Sequence, residues 1–304
     1  MSKRGMTKRY LLIIEHIESI ELSTLKNITE KIEKKGFKYS VRTFHRDLEA
    51  LRDEFGVEIV YSRQQKTYYI DKTLSINLNT FHRFLQNAML SELVLDSHKN
   101  KTNIFDYIGF EAENLNTKGN DLIAEILPAI SGHKTISFSY AKYYGDTKPK
   151  AREIQPYFLK EYNYRWYVAG FEEGQSNHRI FALDRIEELK INDKNFKPEK
   201  KKLDYLKNGF NEVVGLAFNY GELQEVKLWL NKEQCNYAKS QPFHNSQRVI
   251  KEDEKGCTMV LKLRPNVELR LLIVKHGAHI KVLEPEWFAN EVAQIHKEAA
   301  ALYK

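Results

Sequence analysis

The stretch SVRTFHRDLEALRDEFGVEIVYSRQQKTYYI, residues 40–70, decides how the first part of the chain folds. Its first half repeats an apolar residue every three or four positions, which is the period of a helix with one buried face. Ser40 can cap that helix at its start, and Gly56 can end it. Its second half holds two β-prone runs, 57–62 and 67–70, around a polar tip, and these predict a hairpin. The apolar stripe consists of Phe44, Leu48, Leu51 and Phe55.

Two further helices are predicted upstream of this stretch. The apolar residues between Lys3 and Ser19 follow helical spacing. After a break, Ser23 precedes a second apolar stripe, and Gly36 follows two lysines at its end, as at a capped helix. Three helices followed by a hairpin is the order of elements in a winged helix-turn-helix. The sequence therefore predicts such a DNA-binding domain over residues 1–72.

The predicted third helix has a cationic surface opposite its apolar stripe. At about 100° per residue, Arg42 and Arg46 lie across the helix from Phe44. An α-helix fits the major groove of DNA, where Arg, Ser, Thr and His can reach base edges and phosphates. Glu49 and Asp53 would repel phosphates, which limits contact to the first half of the helix. The alternative is that Arg42 and Arg46 lie on an ordinary solvent-exposed helix surface that binds no partner. The predicted contacts to double-stranded operator DNA are Ser40, Arg42, Thr43, His45 and Arg46 on the helix, with Arg63, Gln64 and Lys66 at the hairpin tip.

The charge balance favours a nucleic-acid partner at this end of the chain. The 304 residues include 48 Lys and Arg against 41 Asp and Glu, for a net charge of +7. Residues 1–70 hold 14 Lys and Arg against 10 Asp and Glu, so more than half of the excess positive charge lies in less than a quarter of the chain. With 42% hydrophobic residues, we expect packed cores rather than disorder.

The sequence predicts neither a membrane protein nor a secreted one. The longest aliphatic runs, such as Leu11–Ile14, are far shorter than the roughly 18 residues of a membrane span. The basic N-terminus is followed by amphipathic sequence rather than by the apolar core of a signal peptide. Cys235 and Cys257 are too few for a disulfide framework and are expected to be reduced. We therefore expect a cytoplasmic protein without membrane contact.

The sequence lacks the residue patterns of an enzyme or a metal site. None of the glycines forms a nucleotide-binding motif, since Gly170 and Gly174 flank an ordinary hairpin turn. His276 and His279 are separated by a helix-ending glycine, so metal binding is not expected. The cysteines stand in no recognisable nucleophile pattern. We expect no catalytic residue, no metal and no cofactor.

The middle of the chain changes to the period of a β-strand. Ile136, Phe138 and Tyr140 alternate with serines, and a glycine- and proline-containing turn follows at 145–149. Further strands are predicted at 158–162, 164–171 and 179–183. Several short strands joined by tight turns predict a small barrel.

This region resembles the WYL domain of bacterial transcriptional regulators. Trp166-Tyr167-Val168 stands where the family has Trp-Tyr-Leu, so the third position keeps an apolar side chain. The other family landmarks follow in the expected order. They are Tyr140, Arg152 with Pro156, Arg179 before Phe181, and the run Leu183-Asp184-Arg185-Ile186. In this family a winged helix-turn-helix precedes the WYL domain and a C-terminal extension domain follows it, so the resemblance covers nearly the whole chain.

The resemblance implies an α+β multidomain protein whose central WYL domain is a small SH3/Sm-like β-barrel. Strands and helices also alternate from Val226 to Tyr303, as in a compact α+β module. The helix predicted at 78–95 and this C-terminal module are the candidate dimer surfaces. The predicted domains are the winged helix-turn-helix at 1–72, a helical linker or dimerisation region at 73–120, the WYL domain at 121–195 and the extension domain at 196–304.

The resemblance also implies a basic and aromatic face that senses nucleic-acid-like or other anionic effectors. Arginine matches phosphate oxygens, and tyrosine can stack on a base. We expect Trp166 to pack inward and Tyr167 to line the site, with the reverse left open. For Arg185 the alternative is a buried salt bridge with Asp184 or Glu187. The predicted ligand residues are Tyr140, Arg152, Tyr167, Arg179, Phe181 and Arg185.

Together these features predict a DNA-binding transcriptional regulator, a homodimeric repressor whose WYL domain binds a small anionic or oligonucleotide effector that alters operator binding. Regulators of this architecture include repressors of phage-defence gene clusters, and the resemblance implies such a cluster as the setting. The alternative is a nucleic-acid-binding accessory protein, in which the WYL barrel binds single strands and the N-terminal domain docks a partner.

Overall fold

In the computed structural model of the chain, the described residues are 3–20, 22–71, 74, 75, 78, 81–88, 91, 118–145, 147–219 and 221–303. The chain divides into two units, Met1–Ala112 and Glu113–Lys304. Helices and antiparallel sheets occur in both, so the predicted α+β multidomain class is confirmed. Within these ranges, no helix combines the length and the apolar character needed to cross a membrane.

The N-terminal unit contains three helices and a hairpin in the predicted order. Ser40 caps the third helix by accepting the Thr43 N–H at 3.2 Å, and Gly56 ends it with a left-handed φ of 65°. The two strands of the hairpin pair antiparallel, with Ser62 opposite Thr67. The elements are α1 (Lys3–Ser19), α2 (Leu25–Lys34), α3 (Val41–Phe55), β1 (Ile59–Ser62) and β2 (Thr67–Ile70).

The start of α2 differs from the prediction by one residue. Thr24, and not Ser23, caps the helix by accepting the Asn27 N–H at 3.3 Å. Ser23 is buried instead, and its carbonyl accepts the Tyr68 N–H at 2.7 Å. Ser23 therefore ties the turn between α1 and α2 to the hairpin.

One apolar core joins these elements. Its fully buried members come from all three helices, and burial of such aliphatic and aromatic side chains is the main stabilising contribution to folding. Residues 81–88 are helical, and Phe81 and Leu85 pack on the same core. Most of the predicted linker at 73–120 lies outside the described residues. The core includes Ile13, Ile14, Ile28, Ile32, Phe44 and Leu51.

The second unit begins with a helix and a five-stranded antiparallel sheet. The spatial order of the strands is β6-β5-β4-β3-β7, so the last strand returns to pair with the first. The single strand β4 corrects the prediction of a separate strand at 158–162. It runs through Pro156, where the register shifts because proline donates no ladder hydrogen bond. The elements are α4 (Leu122–Ser131), β3 (Lys134–Tyr140), β4 (Lys150–Tyr162), β5 (Arg165–Phe171), β6 (His178–Ala182) and β7 (Ile186–Asn195).

Both faces of β5 are covered. Val168 packs with α4 and the neighbouring strands in one core. Ala169 and Phe171 belong to a second core, which contains residues of the next helix, α5 (Lys200–Asn211). The sequence did not predict α5, because its lysines and its glycine obscure a short apolar stripe of Leu206 and Phe210.

The remaining elements build a four-stranded antiparallel sheet with helices, and their spatial strand order is β11-β8-β10-β9. Asn266 caps α7 as predicted, by accepting the Leu269 N–H at 2.9 Å. The elements are β8 (Gln224–Asn231), α6 (Lys232–Ser240), β9 (Arg248–Glu252), β10 (Gly256–Leu263), α7 (Val267–Lys275), β11 (Ile280–Glu284) and α8 (Glu286–Ala301).

The structure corrects the expectation that the cysteines are reduced. Cys235 of α6 and Cys257 of β10 form a disulfide, with their Cα atoms 5.9 Å apart. They are 22 positions apart in the sequence, and the packing of α6 on β10 brings them together. That proximity depends on tertiary packing, which cysteine spacing alone does not reveal.

Candidate nucleic-acid surface and ligand cleft

The outward surface of α3 carries the predicted DNA-contacting residues at the start of the helix. Arg42, His45 and Arg46 are exposed. Ser40 is exposed as well, and its hydroxyl lies 2.9 Å from Thr43 Oγ1 in addition to accepting the Thr43 N–H. Ser40 and Thr43 therefore stabilise the first turn, and the exposed imidazole and guanidinium groups stand beside it.

The second half of α3 has a different charge. Glu49 and Asp53 are exposed, and Arg52 Nε lies 3.0 Å from Asp53 Oδ1. The exposed charges of the N-terminal half are thus cationic, whereas acidic groups outnumber basic ones at the surface of the second half. A polyanion would meet attraction at the N-terminal half and repulsion beyond it.

The tip of the β1–β2 hairpin presents a second group of polar and cationic side chains. Arg63, Gln64 and Lys66 are exposed there. Ser62 Oγ accepts the Gln65 N–H at 3.2 Å, and Lys66 adopts a left-handed φ of 53° that closes the turn. The tip is therefore shaped by its backbone and by Ser62, which leaves the three predicted residues accessible to solvent.

A cleft of about 710 Å³ opens on the five-stranded sheet, and all six predicted ligand residues line it. Four of the lining side chains are cationic, namely Lys142, Arg152, Arg179 and Arg185. The sequence did not single out several other residues of the lining. These are Lys142, Tyr144, His178, Ile180, Leu216, Ala217 and Asn219.

Arg185 lies between two tyrosine rings. Its guanidinium carbon is 5.0 Å from the ring centre of Tyr140 and 4.8 Å from that of Tyr143, distances at which a cation is attracted to an aromatic face. The salt bridges considered from the sequence do not form between these residues. Asp184 pairs with Arg165 at 3.0 Å, and Glu187 lies 3.8 Å from Lys118.

Arg152 and Arg179 share one carboxylate. Arg152 Nη1 donates to Glu172 Oε1 at 3.1 Å, and Arg179 Nε lies 3.6 Å from Glu172 Oε2. Arg152 is half-buried, whereas the side chain of Arg179 is 54% exposed. These two guanidinium groups can therefore be reached from solvent at the mouth of the cleft.

Tyr140 and Phe181 form the floor of the cleft and belong to the core beneath it. Phe181 packs edge-to-face on Tyr140 with ring centres 4.8 Å apart, and the Ala182 N–H donates to Tyr140 Oη at 3.3 Å. Burial raises the pKa of Tyr140 above its ordinary value. Trp166 packs against the same core, while Tyr167 is half-buried and lines the cleft.

The far wall of the cleft comes from the segment between α5 and β8. Leu216 and Ala217 donate their backbone N–H groups to Glu268 Oε1 at 3.3 and 3.2 Å. Asn266 Nδ2 donates to the carbonyls of Val214 and Ala217 at 2.8 and 2.9 Å. The first turn of α7 therefore holds a wall of the cleft in place. Sequence patterns could not reveal these contacts, because the partners lie about fifty positions apart.

His178 is a buried member of the cleft lining. Its ring stacks on Phe218 with centres 4.1 Å apart, and its Nδ1 lies 3.2 Å from Tyr205 Oη. Burial, with a smaller contribution from the charge of Arg179, lowers the pKa of His178 to about 4. The imidazole is consequently neutral at physiological pH, and the positive charge of the cleft comes from lysine and arginine.

Residues 121–191 match the family model of the WYL domain. This chain is a WYL-domain protein. A second family model, the WCX domain, matches residues 222–300 of the same WYL-domain protein. The resemblance to WYL-domain bacterial regulators, predicted from Trp166-Tyr167-Val168, is confirmed.

The WYL-domain protein is also similar to a Bacillus subtilis (strain 168) protein named "Uncharacterized HTH-type transcriptional regulator YobV". The two are 22% identical over 304 aligned positions, which cover 88% of this chain and 91% of the relative. The family match and this name indicate a regulator of transcription rather than an enzyme. Within the described residues, no group of three or more His, Cys, Asp and Glu could hold a metal ion.

Two solved structures show low similarity. Proteasome accessory factor B/C (PafBC) of Arthrobacter aurescens is 19% identical, with 95% of this chain and 45% of that chain covered and a TM-score of 0.29. The chain therefore spans less than half of the PafBC chain. A structure described as a CRISPR Cas-related protein is 12% identical, with 99% and 82% covered and a TM-score of 0.40.

Proposed function

We propose that this WYL-domain protein is a homodimeric transcriptional repressor that binds operator DNA through its winged helix-turn-helix and an anionic effector through its cleft. The observation that carries the proposal is the convergence of all six predicted ligand residues on one cleft with four cationic side chains. The protein acts in the cytoplasm. Control of a phage-defence gene cluster is also part of the proposal, and the family resemblance alone supports it.

The DNA-binding part rests on the exposed residues of α3 and the hairpin tip. Arg42, His45 and Arg46 can enter a major groove, where arginine recognises guanine and contacts phosphates. Arg63 and Lys66 at the hairpin tip can contact the DNA backbone. A homodimer would place two such helices in successive turns of the major groove, about 34 Å apart, on a palindromic operator.

The effector part rests on the chemistry of the cleft. Arg152 and Arg185 each have a buried Nε–H without a hydrogen-bond partner among the residues that the structure describes. Buried donors are normally paired, so these groups favour a ligand rich in acceptor oxygens. Tyr144 is 84% exposed on the same cleft and can stack on a base. A phosphate-containing ligand with a planar base satisfies both kinds of group.

Regulation requires that the effector bind one conformation of the repressor more tightly than the other, because equal affinities shift no equilibrium. The segment 213–219 is suited to respond, since it lines the cleft and is held by Asn266 and Glu268. We propose that effector binding at this wall changes the affinity of the dimer for operator DNA.

The decisive experiment is a mobility-shift titration of the full chain on the DNA upstream of its own gene, at stated salt concentration. The variant Arg42→Ala with Arg46→Ala should weaken duplex binding by about a hundredfold, since two groove-facing arginines are removed. Binding of a single-stranded oligonucleotide should be retained. Lys34→Ala with Lys35→Ala is the matched control, because it removes the same charge from the exposed end of α2.

The second candidate, an accessory protein that binds single strands through its WYL domain, predicts the opposite result. Duplex binding would then be unchanged in the double variant Arg42→Ala with Arg46→Ala, and that outcome would overturn the proposal that the protein is a repressor. Equal weakening by both double variants would show that only net charge matters and would remove α3 as the recognition helix.

A further inference from the structure

The carboxylate of Glu172 contacts two arginines that line the cleft, Arg152 and Arg179. Glu172 bridges Arg152 and Arg179, with one oxygen 3.1 Å from Arg152 Nη1 and the other 3.6 Å from Arg179 Nε. We propose that Glu172 is an internal competitor of the effector: its carboxylate pairs with both arginines, and a phosphate group of the effector must displace it. This inference deepens the proposed function and rests on it.

The position of Glu172 allows its side chain to leave. It is the first residue after β5, and its carbonyl accepts the Gln175 N–H at 3.1 Å, which fixes the backbone of the turn. Its side chain is 25% exposed, so rotation about side-chain bonds can carry the carboxylate into solvent. The arginines come from β4 and β6, the two strands that flank β5, so the pair can stay in place when the carboxylate departs.

A second ion pair, between Arg165 and Asp184, differs from the Glu172 pairs in its burial. Asp184 is 1% exposed, pairs with Arg165 at 3.0 Å and accepts a hydrogen bond from Tyr143 at 3.2 Å. A carboxylate at that depth is costly to release, because leaving Arg165 without its partner would strand a partly buried charge. Glu172 is therefore the exchangeable carboxylate of the two.

This arrangement selects the ligand. A ligand with a single carboxylate would replace Glu172 by a group of the same charge with the same two oxygens, so the exchange would add little binding free energy. Each phosphodiester of an oligonucleotide also carries one charge and two free oxygens, but the backbone repeats this group. While one phosphodiester binds the Arg152 and Arg179 guanidinium groups through paired N–H donors, its neighbours can contact Lys142 and Arg185 in the same cleft. The cleft should consequently favour phosphate-bearing polyanions, such as short single-stranded oligonucleotides, over carboxylates.

The test compares the full chain with Glu172→Gln in the binding of a fluorescein-labelled twelve-nucleotide oligothymidylate, followed by fluorescence anisotropy. Removing the competing charge should tighten binding by about tenfold, and Glu172→Asp should remain near the wild-type affinity. Glu173→Gln is the matched control. It removes the same charge at the next residue, and Glu173 pairs with Lys194 rather than with the arginines of the cleft. Its affinity should stay within about twofold of wild type.

A second comparison separates competition from simple repulsion. In an Arg152→Ala background the carboxylate has lost its closer contact, so Glu172→Gln should gain less than half as much as in the wild-type chain. An undiminished gain there, or equal gains from Glu172→Gln and Glu173→Gln, would overturn the competitor role.

The failure of this inference can be told apart from the failure of the proposed function. If wild type binds the oligonucleotide and Arg152→Ala does not, the proposed cleft stands, and a Glu172→Gln affinity equal to wild type rejects this inference alone. If neither wild type nor Glu172→Gln binds it, the effector proposal fails and this inference fails with it.

Discussion

Arg9 and Asp47 form a two-point ion pair inside the N-terminal unit. Arg9 Nε donates to Asp47 Oδ2 at 2.8 Å, and Arg9 Nη2 donates to Oδ1 at 3.0 Å. Tyr39 Oη adds a third hydrogen bond to the same carboxylate at 3.0 Å. Both charged residues are buried, at 5% and 2% exposure, so the pair joins α1 to the inner face of α3 beneath the proposed DNA-contacting surface.

The variant Asp47→Ala should lower the free energy of unfolding by about 3–5 kcal/mol, because it leaves the Arg9 guanidinium buried without its partner. The double variant Arg9→Met with Asp47→Leu should lose much less, since no buried charge remains. Urea unfolding of both chains measures the difference. Asp53→Ala, at an exposed carboxylate of the same helix, should leave stability nearly unchanged, and an equally small loss in Asp47→Ala would contradict the role of the pair.

Acid should destabilise the second unit through His178. Its pKa falls from 6.5 to about 4 on folding, so the unfolded chain takes up the proton first as the pH decreases. The stability that the neutral ring provides is present above pH 6.5 and is lost between about pH 6.5 and 4. Going from pH 7 to 5 should cost about 1–2 kcal/mol at this residue. In His178→Gln the loss of stability over that interval should be smaller by this amount, and equal losses in both chains would reject the assignment.

Two variants of the cleft test the effector response without disturbing the DNA-contacting surface. Arg179→Ala removes an exposed guanidinium, and Tyr167→Ala removes a half-buried ring from the lining. We expect each to bind the upstream duplex as wild type does, but to need about tenfold more oligothymidylate for the same change in duplex binding. Mobility shifts with and without the oligonucleotide measure this. A wild-type response from both variants would place the effector site elsewhere.

The wall of the cleft should loosen when Glu268 is removed. In Glu268→Ala the Leu216 and Ala217 N–H groups lose their acceptor, so their hydrogen exchange should accelerate by about tenfold. Exchange of a peptide that covers residues 213–219, followed by mass spectrometry, measures the change. Glu291→Ala is a suitable control, because Glu291 pairs with Arg270 on the surface. Unchanged exchange in Glu268→Ala would show that the wall is held by other contacts.

Local features of the chain were predictable from the sequence. Ser40 and Gly56 bound α3 as their cap preferences indicate, and Asn266 caps α7. The alternation at 136–140 became β3, and Tyr167 reaches the cleft while Trp166 packs on the core. Each of these outcomes depends on neighbours within a few positions or on the two-residue period of a strand.

The remainder depends on partners that lie far apart in the sequence. Nothing near Asp47 distinguishes it from an exposed helix carboxylate until Arg9 packs against it. Glu172 acquires its role only when β4 and β6 place arginines on either side. The disulfide between Cys235 and Cys257 and the hold of Glu268 on the cleft wall have the same origin. Periodicity and capping describe segments, whereas these contacts are set by tertiary packing.

The hydrogen bonds between residues 214–217 and the first turn of α7 also determine which segment of this protein can be transplanted as a unit. A chimera that transplants only residues 121–191 would carry the arginines of the cleft but leave behind Leu216, Ala217 and the side chains that hold them. A transplanted segment that continues beyond Glu268 would include the wall together with Asn266 and Glu268, the residues that hold it. The segment that carries the complete cleft is therefore longer than the stretch that its signature tripeptide identifies.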